Sequence, residues 1–263
     1  MADLLRLAKN FEDRAQIERY YETRAFMRLK NELLTTLQNE TKQILFLIGD
    51  PGTGKSVFLY HIPKLLDGID VVRYNTPFFE PVDFVKSLIS KKGARVKNYS
   101  LETLIDQAVK LYENEETLVA IDEAQLLSDE MVELIRILAD SKAFWFLLAM
   151  HRHESAQILE KPQFRSRPHR IFELQKLDFD EVREYISKEL LALGEYTLDD
   201  YFTPSLVRRL YKLSRGNFRD LKKLLHRIFL LMDQAIRLGK KGYERPNRCL
   251  VTMAAIDGEL LSV

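Results

Sequence analysis

Short apolar runs alternate with amphipathic stretches along the first two thirds of the chain. Between the runs, apolar positions recur at helical spacing. The runs themselves are short and continuous, as expected for strands that are buried on both faces. Alternation of this kind predicts a parallel sheet flanked by helices, an α/β fold. The predicted strands are 44–48, 71–74, 117–121, 144–148 and 170–174.

The apolar runs stop after residue 174, and amphipathic helices are predicted over 178–193 and 204–238. Pro204 suits the first position of a helix. A charged, periodic stretch at 12–40 predicts a further helix before the first strand. The predicted organisation is an N-terminal helical segment (1–40), a nucleotide-binding α/β domain (41–175) and a small helical lid domain (176–263).

The composition is that of a globular protein that can bury a core. Of 263 residues, 46% are hydrophobic, and 40 basic residues nearly balance 39 acidic ones. A single cysteine, Cys249, excludes an internal disulfide framework and fits a reducing compartment. The N-terminus is too charged for a signal peptide, and no apolar run is long enough for a transmembrane segment. We therefore expect a cytoplasmic protein.

Charge is unevenly distributed within this balance. Residues 204–248 contain thirteen basic and three acidic side chains. A charge run of this kind is usually a solvated face, or it can face nucleotide phosphates. It can also be a surface for DNA or an acidic partner. Both interpretations remain open at the level of sequence.

Residues 49–56 fit the phosphate-binding pattern G-x-x-x-x-G-K-[ST] at every fixed position. They follow a predicted strand and precede an apolar helix, which is the context that the pattern requires. Glycines let backbone N–H groups point at phosphate oxygens, the lysine places a cation on the β- and γ-phosphates, and the serine hydroxyl suits Mg²⁺. The predicted nucleotide-binding residues are Gly49, Asp50, Pro51, Gly52, Thr53, Gly54, Lys55, Ser56 and Val57. Pro63, about two turns into the helix, is expected to kink or end it.

Two acidic residues follow the predicted strand at 117–121. A buried parallel strand delivers its last residues to the carboxyl edge of the sheet, where the phosphate-binding loop also lies. Asp122 can hold Mg²⁺ together with Ser56, and Glu123 can orient or deprotonate an attacking water. The sequence therefore predicts ATP and Mg²⁺ as ligands and ATP hydrolysis as the reaction.

With these motifs the sequence resembles the AAA+ ATPases over residues 30–258. Within them it is similar to the bacterial ExeA/GspA and MshM type, which is related to the transposition ATPases TniB and MuB and to origin-recognition ATPases. Four stretches carry the resemblance: 49–56, the Ile-Asp-Glu-Ala-Gln of 121–125, 164–174, and the Ser-Arg-Gly-Asn-Phe-Arg of 214–219.

The resemblance implies roles for three further residues. His151, after the fourth strand, takes the position of a polar sensor of the γ-phosphate, where family members more often carry Asn, Gln, Ser or Thr. Arg167 matches the arginine finger that acts on a neighbouring subunit's nucleotide, although Arg165 and Arg170 compete for that role. Arg219 matches the sensor arginine of the helical lid, which follows Phe218 here and usually follows Pro in the family.

The resemblance also implies a nucleotide-dependent homo-oligomer that assembles or remodels an unidentified partner complex. The implied setting is a type II secretion, type IV pilus or DNA-uptake machine, reached through a partner at the inner membrane. The alternative is an ATP-regulated DNA-binding protein of the transposition or origin-recognition kind, with DNA contacted through 204–248. A nucleotide-gated scaffold with negligible turnover is a third hypothesis.

Overall fold

The chain folds into two compact units. One unit is Phe26–Leu174, and the other combines Met1–Ala25 with Gln175–Val263. The predicted N-terminal segment, 1–40, contributes residues to both units. The structure, a computed structural model, describes residues 3–12, 20–96, 100–165 and 168–261.

A five-stranded parallel sheet forms the centre of the Phe26–Leu174 unit. Its strand order is β2-β3-β4-β1-β5, so β4 lies between β1 and β3. Every residue of β1 and β3 is buried, as the uninterrupted apolar runs predict. The parallel α/β fold expected from the sequence is confirmed. The strands are β1 (Ile44–Gly49), β2 (Asp70–Tyr74), β3 (Thr117–Ile121), β4 (Trp145–His151) and β5 (His169–Glu173).

Helices account for most of the remaining described chain. They cover the sheet in one unit, and they are the regular structure of the described residues in the other. In chain order they are α1 (Leu4–Asn10), α2 (Arg24–Asn39), α3 (Lys55–Leu65), α4 (Pro81–Lys91), α5 (Leu101–Tyr112), α6 (Asp129–Asp140), α7 (Arg152–Leu159), α8 (Pro162–Arg165), α9 (Phe179–Ala192), α10 (Tyr196–Asp199), α11 (Pro204–Ser214), α12 (Phe218–Arg237) and α13 (Arg248–Asp257).

Two helices differ from the sequence-based expectation. The helix predicted over 12–40 is described from Arg24 onward, and residues 20–23 before it are not helical. The helix after the phosphate-binding loop continues past Pro63 and ends at Leu65, so the proline lies in its last turn. There the proline's missing N–H costs one hydrogen bond and its ring disfavours further turns, which explains why the helix ends soon afterwards.

The helical unit has its own hydrophobic core. Apolar residues of α1, α9, α11, α12 and α13 form one buried cluster. Phe11, which follows α1, stacks on Phe229 of α12 with ring centroids 5.6 Å apart. The N-terminal helix is thus an integral part of this core. Among the described residues, none of the helices is long and apolar enough to cross a membrane.

A close backbone contact links the start of the helical unit to the turn between α11 and α12. The N–H of Leu177 donates a hydrogen bond to the carbonyl of Gly216 at 2.9 Å. Gly216 has a φ of +70°, and a Cβ at this position would lie 2.2 Å from the carbonyl oxygen of Leu177. Both the conformation and the space therefore require glycine.

We expect Gly216→Ala to destabilise the helical unit more than Gly239→Ala. Both glycines have positive φ, at which alanine costs about 1 kcal/mol. Gly239 has no atom within 4 Å of the added Cβ, whereas Gly216 also clashes with backbone. The clash should add roughly 1–3 kcal/mol, measured as the difference in free energy of unfolding by urea titration. Equal losses in the two variants would contradict this account.

Candidate nucleotide-binding site

The phosphate-binding loop lies between β1 and α3. Gly52 and Gly54 have φ of +78° and +103°, so the loop curls through left-handed backbone conformations that glycine tolerates. A Cβ at Gly49 would lie 2.8 Å from Thr53 Oγ1 and 2.9 Å from the carbonyl oxygen of Leu174. The glycines predicted from the motif are thus required by the geometry of the loop. Thr53 closes the turn, because its N–H and hydroxyl both donate to the carbonyl of Asp50.

Lys55 begins α3 and is buried, with 6% of its surface exposed. Its Nζ donates to the carbonyl oxygens of Gly49 at 2.8 Å and Asp50 at 3.2 Å. A buried ammonium requires such partners. The loop's own carbonyls thus hold the cation inside the curl, beside the N-terminus of α3, where a helix favours anions.

Asp122, directly after β3, meets the first turn of α3. Asp122 is 8% exposed, and its carboxylate accepts a hydrogen bond from Ser56. Burial raises the pKa of Asp122, while the hydrogen bonds from Ser56 and from the N–H of Glu123 act in the opposite direction. The structure therefore brings together the two residues that the sequence predicts as metal ligands.

Glu123 occupies a left-handed backbone conformation, with φ 53° and ψ 37°, which is uncommon for a residue other than glycine. Its N–H donates to Asp122 Oδ1 at 3.0 Å. Its Oε2 lies 3.3 Å from Nε2 of His151 and accepts a hydrogen bond from Gln125. The predicted γ-phosphate sensor and the predicted base are therefore neighbours.

His151 reaches this position through the sheet register. It ends β4, where it pairs with Gly49 at the end of β1. The first residue of the phosphate-binding loop and the predicted sensor thus lie side by side at the carboxyl edge of the sheet. The His151 side chain is about three-quarters buried.

Arg152 is a charged contact that the sequence does not reveal. It follows His151, and its Nε lies 3.5 Å from Asp50 Oδ1 in the phosphate-binding loop. Its guanidinium also forms an ion pair with Glu173 at the end of β5. Arg152 therefore ties the loop to the strand next to β1. In the sequence, Arg152 carries no motif signal, because its partners come from distant parts of the chain.

Two of the three candidates for the arginine finger lie in the described part of the chain, in different environments. Arg167 lies outside the described residues, and Arg165 is exposed at the end of α8. Arg170 is the second residue of β5, near the amino edge of the sheet, where its guanidinium binds Glu40 and lowers the pKa of that carboxyl. The Glu40 contact gives Arg170 a structural partner.

Arg219 belongs to the helical unit. It is the second residue of α12, and its N–H donates to the side chain of Asn217, which caps the helix. Phe218 packs on Tyr185, with ring centroids 4.6 Å apart. Phenylalanine at this position therefore packs into the helical core.

The oxygen ligands near the loop suit Mg²⁺ better than a transition metal. Ser56 and Asp122 offer a hydroxyl and a carboxylate, which are hard donors. Within the described residues, no group of three or more His, Cys, Asp or Glu side chains could hold a metal by itself. Mg²⁺ typically takes one or two protein oxygens and completes its shell with phosphate and water. The donor set fits that pattern.

The environment of Asp122 predicts an unusual pH dependence of stability in metal-free buffer. Because burial raises its pKa, ionised Asp122 destabilises the fold, and this cost disappears as pH falls through that pKa. Asp122→Asn should therefore raise the free energy of unfolding at pH 7 in EDTA, with a gain that shrinks as the pH falls.

Asp129 supplies a control of opposite sign. Lys161 lowers the pKa of Asp129, so the ionised carboxylate stabilises the fold above the ordinary Asp pKa. Asp129→Asn should lower stability at pH 7, with a loss that also shrinks on acidification. A loss of stability in Asp122→Asn at pH 7 would contradict the assignment of burial as the dominant effect.

Comparison with known proteins agrees with this geometry. Residues 38–159 match the AAA domain family. Cdc6p from Pyrobaculum aerophilum superimposes with a TM-score of 0.66 at 15% identity, covering 89% of this chain and 67% of that one. The Aeropyrum pernix ORC1 protein in complex with DNA gives 0.59 at 17%, covering 96% and 69%.

The Aeropyrum pernix ORC2 protein, in its ADPNP and ADP complexes, gives a TM-score of 0.60 at 17% identity, covering 96% of this chain and 73% of that one. A comparison with curated protein sequences finds no match. At these identities the structural likeness shows the fold. The family match and the fold support an ATP hydrolase. Residues 38–159 match the AAA domain family, and the fold of the chain is similar to that of these solved structures.

Proposed function

We propose that the chain hydrolyses ATP to ADP and phosphate in a Mg²⁺-dependent reaction. One observation carries the proposal: the hydrogen bond between Ser56 and Asp122, with Glu123 next to it. This contact joins the phosphate-binding loop to an acidic pair from a different strand. Phosphoryl transfer needs positioning and charge neutralisation more than covalent chemistry, and these groups supply both.

Each residue of the proposed site has a role that suits its chemical type. Backbone N–H groups of 50–56 and the ammonium of Lys55 would bind the phosphates. Ser56 and Asp122 would hold Mg²⁺, which when bound neutralises charge on the phosphate oxygens. Glu123 would accept a proton from the attacking water, and His151 would donate a hydrogen bond to the γ-phosphate from its position beside Glu123.

Completion of the site by a second copy is part of the proposal. Arg167 would act on the neighbouring subunit's nucleotide, because a permanent positive charge in a planar fork matches phosphate oxygens. Arg219 would contact nucleotide from the helical unit. Hydrolysis would then depend on nucleotide-driven assembly of homo-oligomers.

We also propose that hydrolysis serves to assemble or remodel a protein complex. On the sequence resemblance, that complex is a secretion, pilus or DNA-uptake machine, reached through a protein partner at the cytoplasmic face of the inner membrane. This part of the proposal rests on the resemblance to ExeA-type ATPases alone.

We expect Glu123→Gln to lower the rate of ATP turnover by at least about 100-fold while ATP still binds, because the amide cannot accept the proton of water. Lys55→Ala should instead weaken binding. Steady-state phosphate release measures the turnover, and titration with a fluorescent ATP analogue measures the binding. Glu130→Gln, an exposed acid in the first turn of α6, is the control and should retain wild-type turnover. Undiminished turnover in Glu123→Gln would refute the assigned base.

A second candidate function, ATP-regulated DNA binding, is favoured by the charge of α11. Residues 203–219 contain five basic side chains and no acidic one. Arg208 and Lys212 are four residues apart, so they share one face of α11. Arg215 directly follows the helix at its C-cap, and all three side chains are exposed. Within the described part of the chain, none of the three forms an ion pair. An unpaired row of cations fits the phosphates of duplex DNA.

We expect changing Arg208, Lys212 and Arg215 together to glutamate to abolish binding of the ATP-loaded protein to duplex DNA. The parent's log Kd should depend linearly on log salt, with about one unit of slope for each phosphate contact. The control changes Lys240, Lys241 and Arg245 to glutamate. These are exposed residues of the same basic stretch, and Arg245 lies over Tyr201 much as Arg208 lies over Phe179. Equal losses of DNA affinity in the two triple variants would mean that only the overall positive charge matters, and would reject the α11 face as the binding surface.

A further inference from the structure

Gln125 is the one residue of the Ile-Asp-Glu-Ala-Gln stretch that packs its side chain back against the predicted base. It lies in a short 3₁₀ turn, Ala124–Leu126, between β3 and α6. Its Nε2 donates a hydrogen bond to Glu123 Oε2. Nε2 of His151 approaches the same oxygen at 3.3 Å. Two side-chain nitrogens therefore meet one oxygen of the carboxylate, and the amide of Gln125 is a donor to it.

The other oxygen of the carboxylate stays available. Among the described residues, Glu123 Oε1 takes part in no hydrogen bond or ion pair, and 38% of the side chain is exposed. The backbone of Glu123 is fixed as well, because its N–H donates to Asp122 and its carbonyl accepts from Leu126 at 3.0 Å. With the backbone and Oε2 both held, Oε1 has a defined direction.

The amide of Gln125 is only partly satisfied by hydrogen bonds. Its Oε1 is buried and has no hydrogen-bond partner among the described residues. A buried carbonyl without a partner is costly, and such a group needs an explanation. Turning the amide over would direct Oε1 at the carboxylate of Glu123, where two acceptors repel. The contact with Glu123 therefore determines the orientation of the amide, and the orphaned carbonyl is its consequence.

We propose that Gln125 is a positioning residue for Glu123: it anchors Oε2, so that Oε1 faces the attacking water. The inference rests on the proposed ATP hydrolysis. It assigns Gln125 no contact with nucleotide or metal. Its contribution is a restriction of the base to one orientation, and misplacement of such a group reduces the rate of the chemical step while leaving substrate binding intact.

Two substitutions remove the donor with little change in size. Gln125→Met has a similar shape but no N–H, and Gln125→Glu keeps the shape and replaces the N–H₂ group by an oxygen. Both should lower kcat about tenfold or more, with Gln125→Glu at least as severe, because it also sets a like charge beside Glu123. The Kd for a fluorescent ATP analogue with Mg²⁺ should stay within about twofold of the parent.

Gln107→Met is the matched control. Gln107 lies on α5 in the same unit, and its Oε1 is also buried and unpartnered, but its Nε2 donates to the carbonyl of Arg95, not to a carboxylate. Replacing Gln107, whose amide is likewise only partly hydrogen-bonded, should leave kcat unchanged. Melting temperatures of all the variants report whether the fold is retained.

The double variant that combines Gln125→Met with Glu123→Gln tests whether Gln125 acts through Glu123. If Gln125 acts through Glu123, adding Gln125→Met to Glu123→Gln should cause no further loss of turnover. An unchanged or increased kcat in both Gln125 variants would overturn the inference. So would a parallel loss of ATP affinity, or a further loss in the Glu123→Gln background, because either would mean a structural role. Absence of turnover in the parent itself would instead reject the proposed ATP hydrolysis.

Discussion

The insertion of β4 between β1 and β3 is the constraint on which the candidate site depends. In parallel strands the pairing fixes which residues share an edge, and here it sets Gly49 beside His151. β3 pairs with the other side of β4 and ends at Ile121, so Asp122 and Glu123 leave the sheet at the same edge. The phosphate-binding loop and the acidic pair come from separate parts of the chain, and their meeting follows from this strand order.

The same burial that creates the site makes it electrostatically costly. Burial at the end of β3 raises the pKa of Asp122, which disfavours the ionised form needed to bind a cation. Ser56 and the N–H of Glu123 offset part of this cost through hydrogen bonds. The ammonium of Lys55 is also buried, and its hydrogen bonds to loop carbonyls offset the cost of that burial. Ser56 of the loop thus stabilises the buried carboxylate of Asp122, and the loop carbonyls stabilise the buried ammonium of Lys55. These hydrogen bonds replace the water that each group loses on burial.

Much of the fold could be predicted because its signals are local. Uninterrupted apolar runs indicate buried parallel strands, and the glycine pattern of 49–56 requires the conformations that Gly52 and Gly54 adopt. The contacts made by Arg152 could not be predicted, since they depend on which strands become neighbours. Arg170 shows the same limit: its partner, Glu40, precedes β1 and approaches β5 only through the register of the sheet. The finger candidate Arg167 stays a prediction from the resemblance.

Arg219 depends on a different set of constraints, because its position is determined within the helical unit. Gly216, in its left-handed conformation, holds the turn against Leu177, and Asn217 caps the first turn of α12. These two features fix where the helix begins, whatever residue follows the cap. Phe218 then adds an aromatic pair with Tyr185, which proline, having no aromatic ring, would not form. Phenylalanine at 218 therefore adds to the packing of the helix start while the Asn217 cap stays in place, so the first turn that carries Arg219 is held by both the cap and the aromatic contact.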